Sequence, residues 1–247
     1  MKRNGDTINI GILTVAFNEK RLIKPCINQF DGFNFPHLVL VSNKPWRGNY
    51  PMDETWAIAK THNRFGSVII DYWQNQAEQF NFGLSYLKEQ GFDWALIVDA
   101  DEFYTPSAIG KLVGEIRKSR ADAITCPFMN AYWKSPDYRL FPNQDDNPIV
   151  AIKTNRKFID KRHSDALALE ATTVQMHHMS YVRNNEEMLK KINTFEHSHE
   201  FNLEDWYNNV WLKWAPENMN LHPTIPSEWE KAIYSPAPYS IRALLNK

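Results

Sequence analysis

The first half of the chain alternates two hydrophobic periods. Ile8 to Val15 (INIGILTV) is a short β-rich apolar run. Leu22, Ile23, Cys26, Ile27 and Phe30 then recur at i, i+1, i+4, i+5 and i+8, the stripe of one helix face. Pro36 breaks the chain, and His37 to Ser42 predicts a second buried strand. The stretch NKPWRGNYP reads as a loop from its Pro, Gly and Asn content. Ser67 to Asp71 predicts a third strand. Asn75 with Glu78 three residues later has the form of a capping box, and Phe80, Leu84 and Leu87 mark the helix that follows. After Gly91, Trp94 to Val98 is a continuous apolar run of the kind buried on both faces of a sheet. Thr105-Pro106 is an N-cap with proline at the first helical position, ahead of the stripe Ile109, Leu112, Val113 and Ile116. Ala123 to Phe128 predicts a fifth strand. Strands alternating with helices imply an α/β fold with a mostly parallel central sheet flanked by helices.

The second half has weaker periodicity. Residues 130–148 are polar, aromatic and Pro-containing, and read as a long loop. Strands are expected near Ile149–Lys153 and Thr172–Met176, and a helix over Glu186–Phe195. Leu203, Tyr207, Val210, Trp211 and Trp214 predict a second amphipathic helix. From Pro216 the chain is Pro-rich with little period.

Composition narrows the class. Lys+Arg total 28 and Asp+Glu 29, a net charge of −1, which argues against broad nucleic-acid binding. A hydrophobic content of 43% excludes disorder as the main state. Trp94 to Val98, the longest apolar run, is far short of the roughly 18–20 residues of a membrane span. The opening residues MKRNGDTINI have no apolar signal-peptide core, and two cysteines, Cys26 and Cys126, suit a reducing compartment. A cytoplasmic protein is therefore expected. Aromatics reach 13% with nine Trp, a fraction large enough to serve both a core and a ring-stacking surface.

In a parallel α/β sheet, ligands bind beyond the carboxyl ends of the strands. The first strand ends in Ala16-Phe17-Asn18-Glu19, and the fourth in Asp99-Ala100-Asp101-Glu102-Phe103. Three acids in four residues at the end of a buried strand need compensating positive charge. Hard carboxylate oxygens suit Mg²⁺ or Mn²⁺, with waters and substrate phosphates as further ligands. On an extended segment Asp99 and Asp101 share a side and can converge. An isolated Asp-x-Asp is most often a solvated turn. Its place after a buried strand, behind three strand–helix units, favours a metal site here.

At these residues the chain resembles the GT-A glycosyltransferases of the family 2 type. GFDWALIVDADEFY (Gly91 to Tyr104) is similar to the signature of the subgroup with an Asp-Ala-Asp-Glu-Phe segment. LTVAFNE (Leu13 to Glu19) is similar to that family's opening strand, and QFNFGL (Gln79 to Leu84) to its Arg-Asn-x-Gly helix, with Phe80 where the family has Arg. The likeness covers residues 8 to 104 and continues to about 180. It implies a catalytic domain over 1–180, with a donor-nucleotide half (1–104) and an acceptor half (105–180), and a helical extension over 181–247 packed on it.

The resemblance also implies roles. Phe17 would stack on the nucleotide base beside Ala16 and Asn18. Asn43 and Asn81 would lie near the donor, and Asp99 would approach the ribose or the metal. Asp101 would bind Mn²⁺ or Mg²⁺, joined by a later histidine, for which His177-His178 fit best and His178 is chosen; His163, His197, His199 and His222 are weaker candidates. The metal would bridge the diphosphate of a nucleotide-sugar donor, a UDP-sugar first among them.

The base that deprotonates the acceptor hydroxyl has several carboxylate candidates. Asp101, Glu102 and Glu170 are taken as catalytic candidates; Asp137, Asp145, Asp146 and Asp165 also fall in the acceptor half, and Glu204-Asp205 fits a helix start better. Trp133 and Tyr138 are the expected acceptor platform. The basic run Lys153, Arg156, Lys157, Lys161 and Arg162, with Lys190 and Lys191, is either a solvated surface or a contact for phosphate or an anionic acceptor. The expected activity is sugar transfer to a glycan, protein, lipid-linked saccharide or, as a minority option, modified-nucleobase acceptor. A nucleotidyltransferase is the alternative, weakened by AFNEKRLIK having no Gly-rich phosphate loop. A non-catalytic glycan-binding module is the other.

Overall fold

The computed structural model describes residues 8–143, 147–194, 202–223 and 225–246. In chain order the elements are β1 (Ile10–Ala16), α1 (Ile23–Asn28), β2 (His37–Ser42), α2 (Thr55–His62), β3 (Val68–Asp71), α3 (Gln76–Glu89), β4 (Trp94–Asp99), β5 (Glu102–Phe103), α4 (Pro106–Lys118) and β6 (Ala123–Thr125). They continue as β7 (Met129–Trp133), β8 (Tyr138–Phe141), β9 (Ile149–Lys153), β10 (Phe158–Asp160), β11 (His163–Ser164), β12 (Leu169–Ala171), β13 (Met176–Tyr181), α5 (Asn185–Thr194), α6 (Leu203–Trp206), β14 (Lys231–Tyr234) and α7 (Tyr239–Leu245).

The two capped helices start where their caps predict. The Asn75 side chain accepts from the Glu78 backbone N–H at 2.9 Å, and Thr105 from that of Ala108 at 3.2 Å. The Glu78 carboxylate reciprocates one residue early, at the Gln74 N–H. Gly83 lets α3 lie directly on β1. A Cβ there would stand 2.5 Å from a Leu13 methyl.

The main sheet has the order β12-β6-β9-β4-β1-β2-β3. β4, β1, β2 and β3 are mutually parallel, as the alternating pattern predicts. β9 runs antiparallel to both β4 and β6. Val15 sits beside Asp99 in the register, so the loops leaving β1 and β4 emerge side by side.

A second sheet, β14-β8-β7-β13-β5, stands where the sequence reads as a loop. Residues 130–148 in fact contribute β7 and β8. Every residue of β7 is buried, so it shows no polar alternation, and its parallel partner is the distant β13. The strand expected at Thr172–Met176 is displaced: β12 ends at Ala171 and β13 begins at Met176. The segment after residue 181 is not helical alone, because β14 completes this sheet by pairing antiparallel with β8.

The helix expected over Leu203–Trp214 is a short α6 that runs into a π-helical turn at Tyr207–Trp211. Its rings close a core around Trp133, whose centroid lies 5.0 Å from Trp211, 6.0 Å from Trp206 and 6.2 Å from Trp229. Trp133 is 0% exposed. This corrects its expected place on an acceptor platform: the ring is a packing element. Tyr138 is spent in the same region, edge-on to Trp214 at 5.1 Å and Tyr234 at 5.9 Å. Among the described residues no helix is long and apolar enough to cross a membrane.

Candidate active site

The ends of β1 and β4 open into a cavity of ≈ 510 Å³, within the size range of small-molecule sites. Ala16, Phe17 and Asn18 form one wall and Asp99 and Asp101 another, all five at positions expected from the sequence. Asn18 adopts φ 54°, a left-handed conformation that Asn tolerates, and so turns the chain out of β1. Its amide also pins the loop after β2, donating to the Pro51 carbonyl at 3.1 Å and accepting from the Asp53 N–H at 2.8 Å. That loop brings Trp46, Tyr50 and Met52 to the cavity.

The turn after β4 is stitched from two sides. The Gln29 side chain donates to the Glu102 carbonyl at 3.0 Å and accepts from the Tyr104 N–H at 2.9 Å, acting as a strand edge would. β13 pairs antiparallel with β5, matching His178 to Glu102, and the Met179 N–H reaches the Asp101 carbonyl at 2.7 Å. Alternation along β13 then separates the two histidines. His177 turns inward, 2% exposed, against the Tyr132 hydroxyl at 2.9 Å. Burial pushes its pKa down to about 4. His178 faces the cavity, with Nε2 3.4 Å from Asp101 Oδ1. Burial opposes its charge, but Asp101 wins and raises its pKa.

Two ion clusters flank Ala100. On the cavity side, Asp101 Oδ2 meets Lys191 Nζ at 3.1 Å and Arg183 Nη2 at 3.5 Å, and Arg183 also holds Glu19 Oε1 at 2.6 Å. Burial works against the Asp101 carboxylate, yet Lys191, His178 and Arg183 together hold its pKa well below the usual range. On the other side, Arg162 Nη2 contacts both oxygens of the buried Glu102 at 2.7 Å and Oδ2 of the cavity-lining Asp99 at 3.0 Å. Gln76 donates to the same Asp99 oxygen at 3.3 Å. Burial lifts the Asp99 pKa to about 6 against the pull of Arg162, with Glu102 and Asp101 adding to the rise. Asp99 Oδ1 and Glu19 Oε2 are buried without a hydrogen-bond partner among the described residues.

Several expected site residues stand elsewhere. Glu102 is 3% exposed, with both oxygens on Arg162 and Oε2 also accepting from the Asp99 N–H at 2.9 Å, so it is a structural anion and not a reachable base. Glu170 lies exposed on β12, the far edge strand of the main sheet, and its carboxylate does not meet the cavity. Asn81 is consumed by the backbone of Phe158, donating to its carbonyl and accepting from its N–H at 2.8 Å each. Asn43 is exposed outside the cavity wall. The basic run is mostly internal glue: Lys153 and Arg156 clasp Asp122, and only Lys161 of that run reaches the cavity wall. Lys190 and Lys191 do line it. His222 packs on Trp229, with ring centroids 4.3 Å apart. Asp145, Asp146, His197 and His199 lie outside the described residues.

The sequence reading missed Arg183 and Gln76, and passed over Glu19, which stood in the LTVAFNE motif. A single Arg or Gln carries no spacing signal.

The residues fit a divalent cation in part. Two ligands about 2.1 Å from an octahedral ion lie roughly 3.0 Å apart. Asp101 Oδ1 and His178 Nε2, at 3.4 Å, match two corners of such a site. No three His, Cys, Asp or Glu side chains converge as a cage among the described residues, so the remaining ligands would be water and phosphate oxygens. Asp99, expected as a second metal ligand, lines the same cavity with Oδ2 on Arg162 and Oδ1 without a partner among the described residues.

A cavity at the carboxyl ends of parallel strands is where open α/β sheets bind ligands. The sequence profile described as glycosyl transferase family 2 matches residues 11–186, well over half the chain, and the protein belongs to that family. No match was found among curated protein sequences.

Solved structures with a similar fold include S. aureus TarS in complex with UDP-GlcNAc, at 12% identity over 85% of this chain and 74% of that one, TM-score 0.49. The mannosyltransferase PcManGT from Pyrobaculum calidifontis, in complex with GDP-Man and Mn²⁺, is 12% identical over 83% and 71%, TM-score 0.49. Glucosyl-3-phosphoglycerate synthase from Mycobacterium tuberculosis, with Mn²⁺, UDP and glucosyl-3-phosphoglycerate, is 18% identical, TM-score 0.39. The match covers 52% of this chain and half the length of that synthase.

Proposed function

We propose that the protein is a divalent-metal-dependent glycosyltransferase that moves a sugar from a nucleotide diphosphosugar to an acceptor hydroxyl. The observation that carries this reading is the facing pair Asp101–His178 on the wall of the cavity that Phe17 also lines. Phe17 offers a ring face to the nucleotide base. The unpartnered Oδ1 of Asp99 is an acceptor for a ribose hydroxyl, since a buried lone pair gains most from a donor. Asp101 and His178 hold the cation, which when bound neutralises charge on the departing diphosphate. The cavity-wall carboxylates that can take the proton from an acceptor hydroxyl include Glu19, Asp53, Glu54 and Glu187, but not Glu102 or Glu170, which do not line the cavity.

The test is a panel of UDP-, GDP-, CMP- and TDP-sugars with Mn²⁺, read by nucleotide release and thermal shift. One donor should raise the melting temperature and be hydrolysed or transferred, and Asp101→Ala should abolish both effects. A shift that survives Asp101→Ala, or no shift with any donor, would sink the reading.

A further inference from the structure

The inference concerns α5 and rests on the transferase reading above. Lys191 lies beyond the segment that the family profile matches, yet its ammonium sits on the acid at the centre of the site. The two cations on Asp101 are not alike. Arg183 is locked: its side chain is 5% exposed, its Nε donates to the Ser180 carbonyl at 2.8 Å, and its Nη2 is bound to Glu19 at 2.6 Å. Lys191 has one short contact, 3.1 Å to Asp101 Oδ2, lies 4.0 Å from Glu19 Oε1, and keeps 22% of its side chain exposed to the cavity. Arg183 is already matched by Glu19, so Lys191 is the counter-ion that Asp101 can exchange.

A dication placed between Asp101 and His178 would stand within a few ångströms of the Lys191 ammonium. Repulsion at that range outweighs a single hydrogen bond. The lysine stem is flexible, and its three donors suit phosphate oxygens. The nearest new anion would be the diphosphate brought in with the cation. We propose that Lys191 is an exchangeable counter-ion: it neutralises Asp101 in the unloaded pocket and binds the donor diphosphate once a divalent cation takes Asp101. This predicts opposite effects on two ligands, which a merely structural lysine does not produce.

The experiment is calorimetric titration of the full chain and of Lys191→Met and Lys191→Gln. Mn²⁺ is titrated alone, then UDP, GDP and the free nucleosides are titrated in the presence of Mn²⁺. Removing the ammonium should tighten Mn²⁺ by about tenfold and weaken the diphosphate by about tenfold, with nucleoside affinity unchanged. Lys190→Gln is the control for nearby charge: Lys190 lines the same cavity but pairs with Glu186 at 2.7 Å instead of Asp101, so its loss should shift Mn²⁺ little. Melting curves check that each variant is folded, and the Gln variant stands in if the Met variant is not.

Unchanged or weaker Mn²⁺ binding would overturn the proposal, as would equal losses for nucleoside and diphosphate, or the same shifts from Lys190→Gln. If the wild-type protein binds neither UDP nor GDP, the transferase reading fails. The Mn²⁺ titration still decides the competition for Asp101.

Discussion

The two ion clusters on either side of Ala100 use the same ingredients for opposite purposes. Inward, Glu102 and one oxygen of Asp99 share Arg162, whose side chain is 11% exposed. Outward, Asp101 has His178, Arg183 and Lys191 around it, and the cavity in front. Glu102, with both oxygens on Arg162 and one also accepting from the Asp99 N–H, is held for structure, while Asp99 gives one oxygen to Arg162 and leaves the other unpartnered among the described residues. A carboxylate whose partners include an exchangeable lysine and an imidazole is available to a ligand. The acids are adjacent in sequence, so residue type does not separate them; the direction each side chain takes at the turn does.

The largest effect should come from breaking the inward cluster. Arg162→Met leaves two buried carboxylates without their cation and should cost about 3–5 kcal/mol of stability, read by denaturant unfolding. A cost under about 1 kcal/mol would mean the cluster is solvated. Asp101→Asn should do the reverse, keeping the fold because Arg183 retains Glu19. Turnover should fall by about 10²–10³. If Asp101→Asn unfolds the protein while Arg162→Met remains active, the assignment of the two clusters is inverted.

The adjacent histidines of β13 sharpen the same contrast through pH. His177 is held neutral, with a pKa near 4 in the fold against an ordinary 6.5. The unfolded chain therefore binds its proton first, and stability falls as pH drops below 6.5. The loss from this residue should be about 2 kcal/mol by pH 5, and His177→Gln should remove that slope. His178 has a raised pKa, so its contribution is full below 6.5 and fades as pH rises through the folded value. His178→Gln should then be costly at pH 6 and nearly neutral at pH 9. Unfolding curves of both variants across pH 5–9 would expose slopes of the same sign, which would contradict their placement on opposite faces. Smallest of all, Glu170→Gln on the exposed edge strand should change stability by less than about 0.5 kcal/mol and leave turnover intact. A hundredfold loss there would return Glu170 to the site.

Much of the first half of the chain was legible because its signals are local. The apolar runs of β1, β2 and β4 have no other stable home than a sheet interior, and the Asn75 and Thr105 caps mark where two helices must begin. Phe17 follows β1, Asp99 ends β4 and Asp101 follows it, so the rule that ligands bind at strand carboxyl ends places all three at the cavity. The 130–141 stretch misled because its aromatic residues look like a sugar platform in isolation. Trp133 is instead enclosed by Trp206, Trp211 and Trp229, more than seventy residues further on. Nothing near residue 133 announces those partners.

The sequence by itself therefore determined most of the strand–helix order of the first half (α2 and β5 excepted), the place of the acidic turn and its family, since each depends on neighbours within a few residues. Only the tertiary structure decided which acid of that turn faces a ligand, which of two adjacent histidines joins it, and which distant cations balance it. Those outcomes depend on pairing β5 with β13 and on docking α5 against Asp101, contacts between segments far apart in the chain. The energy of a charge there is set by its surroundings more than by its own identity.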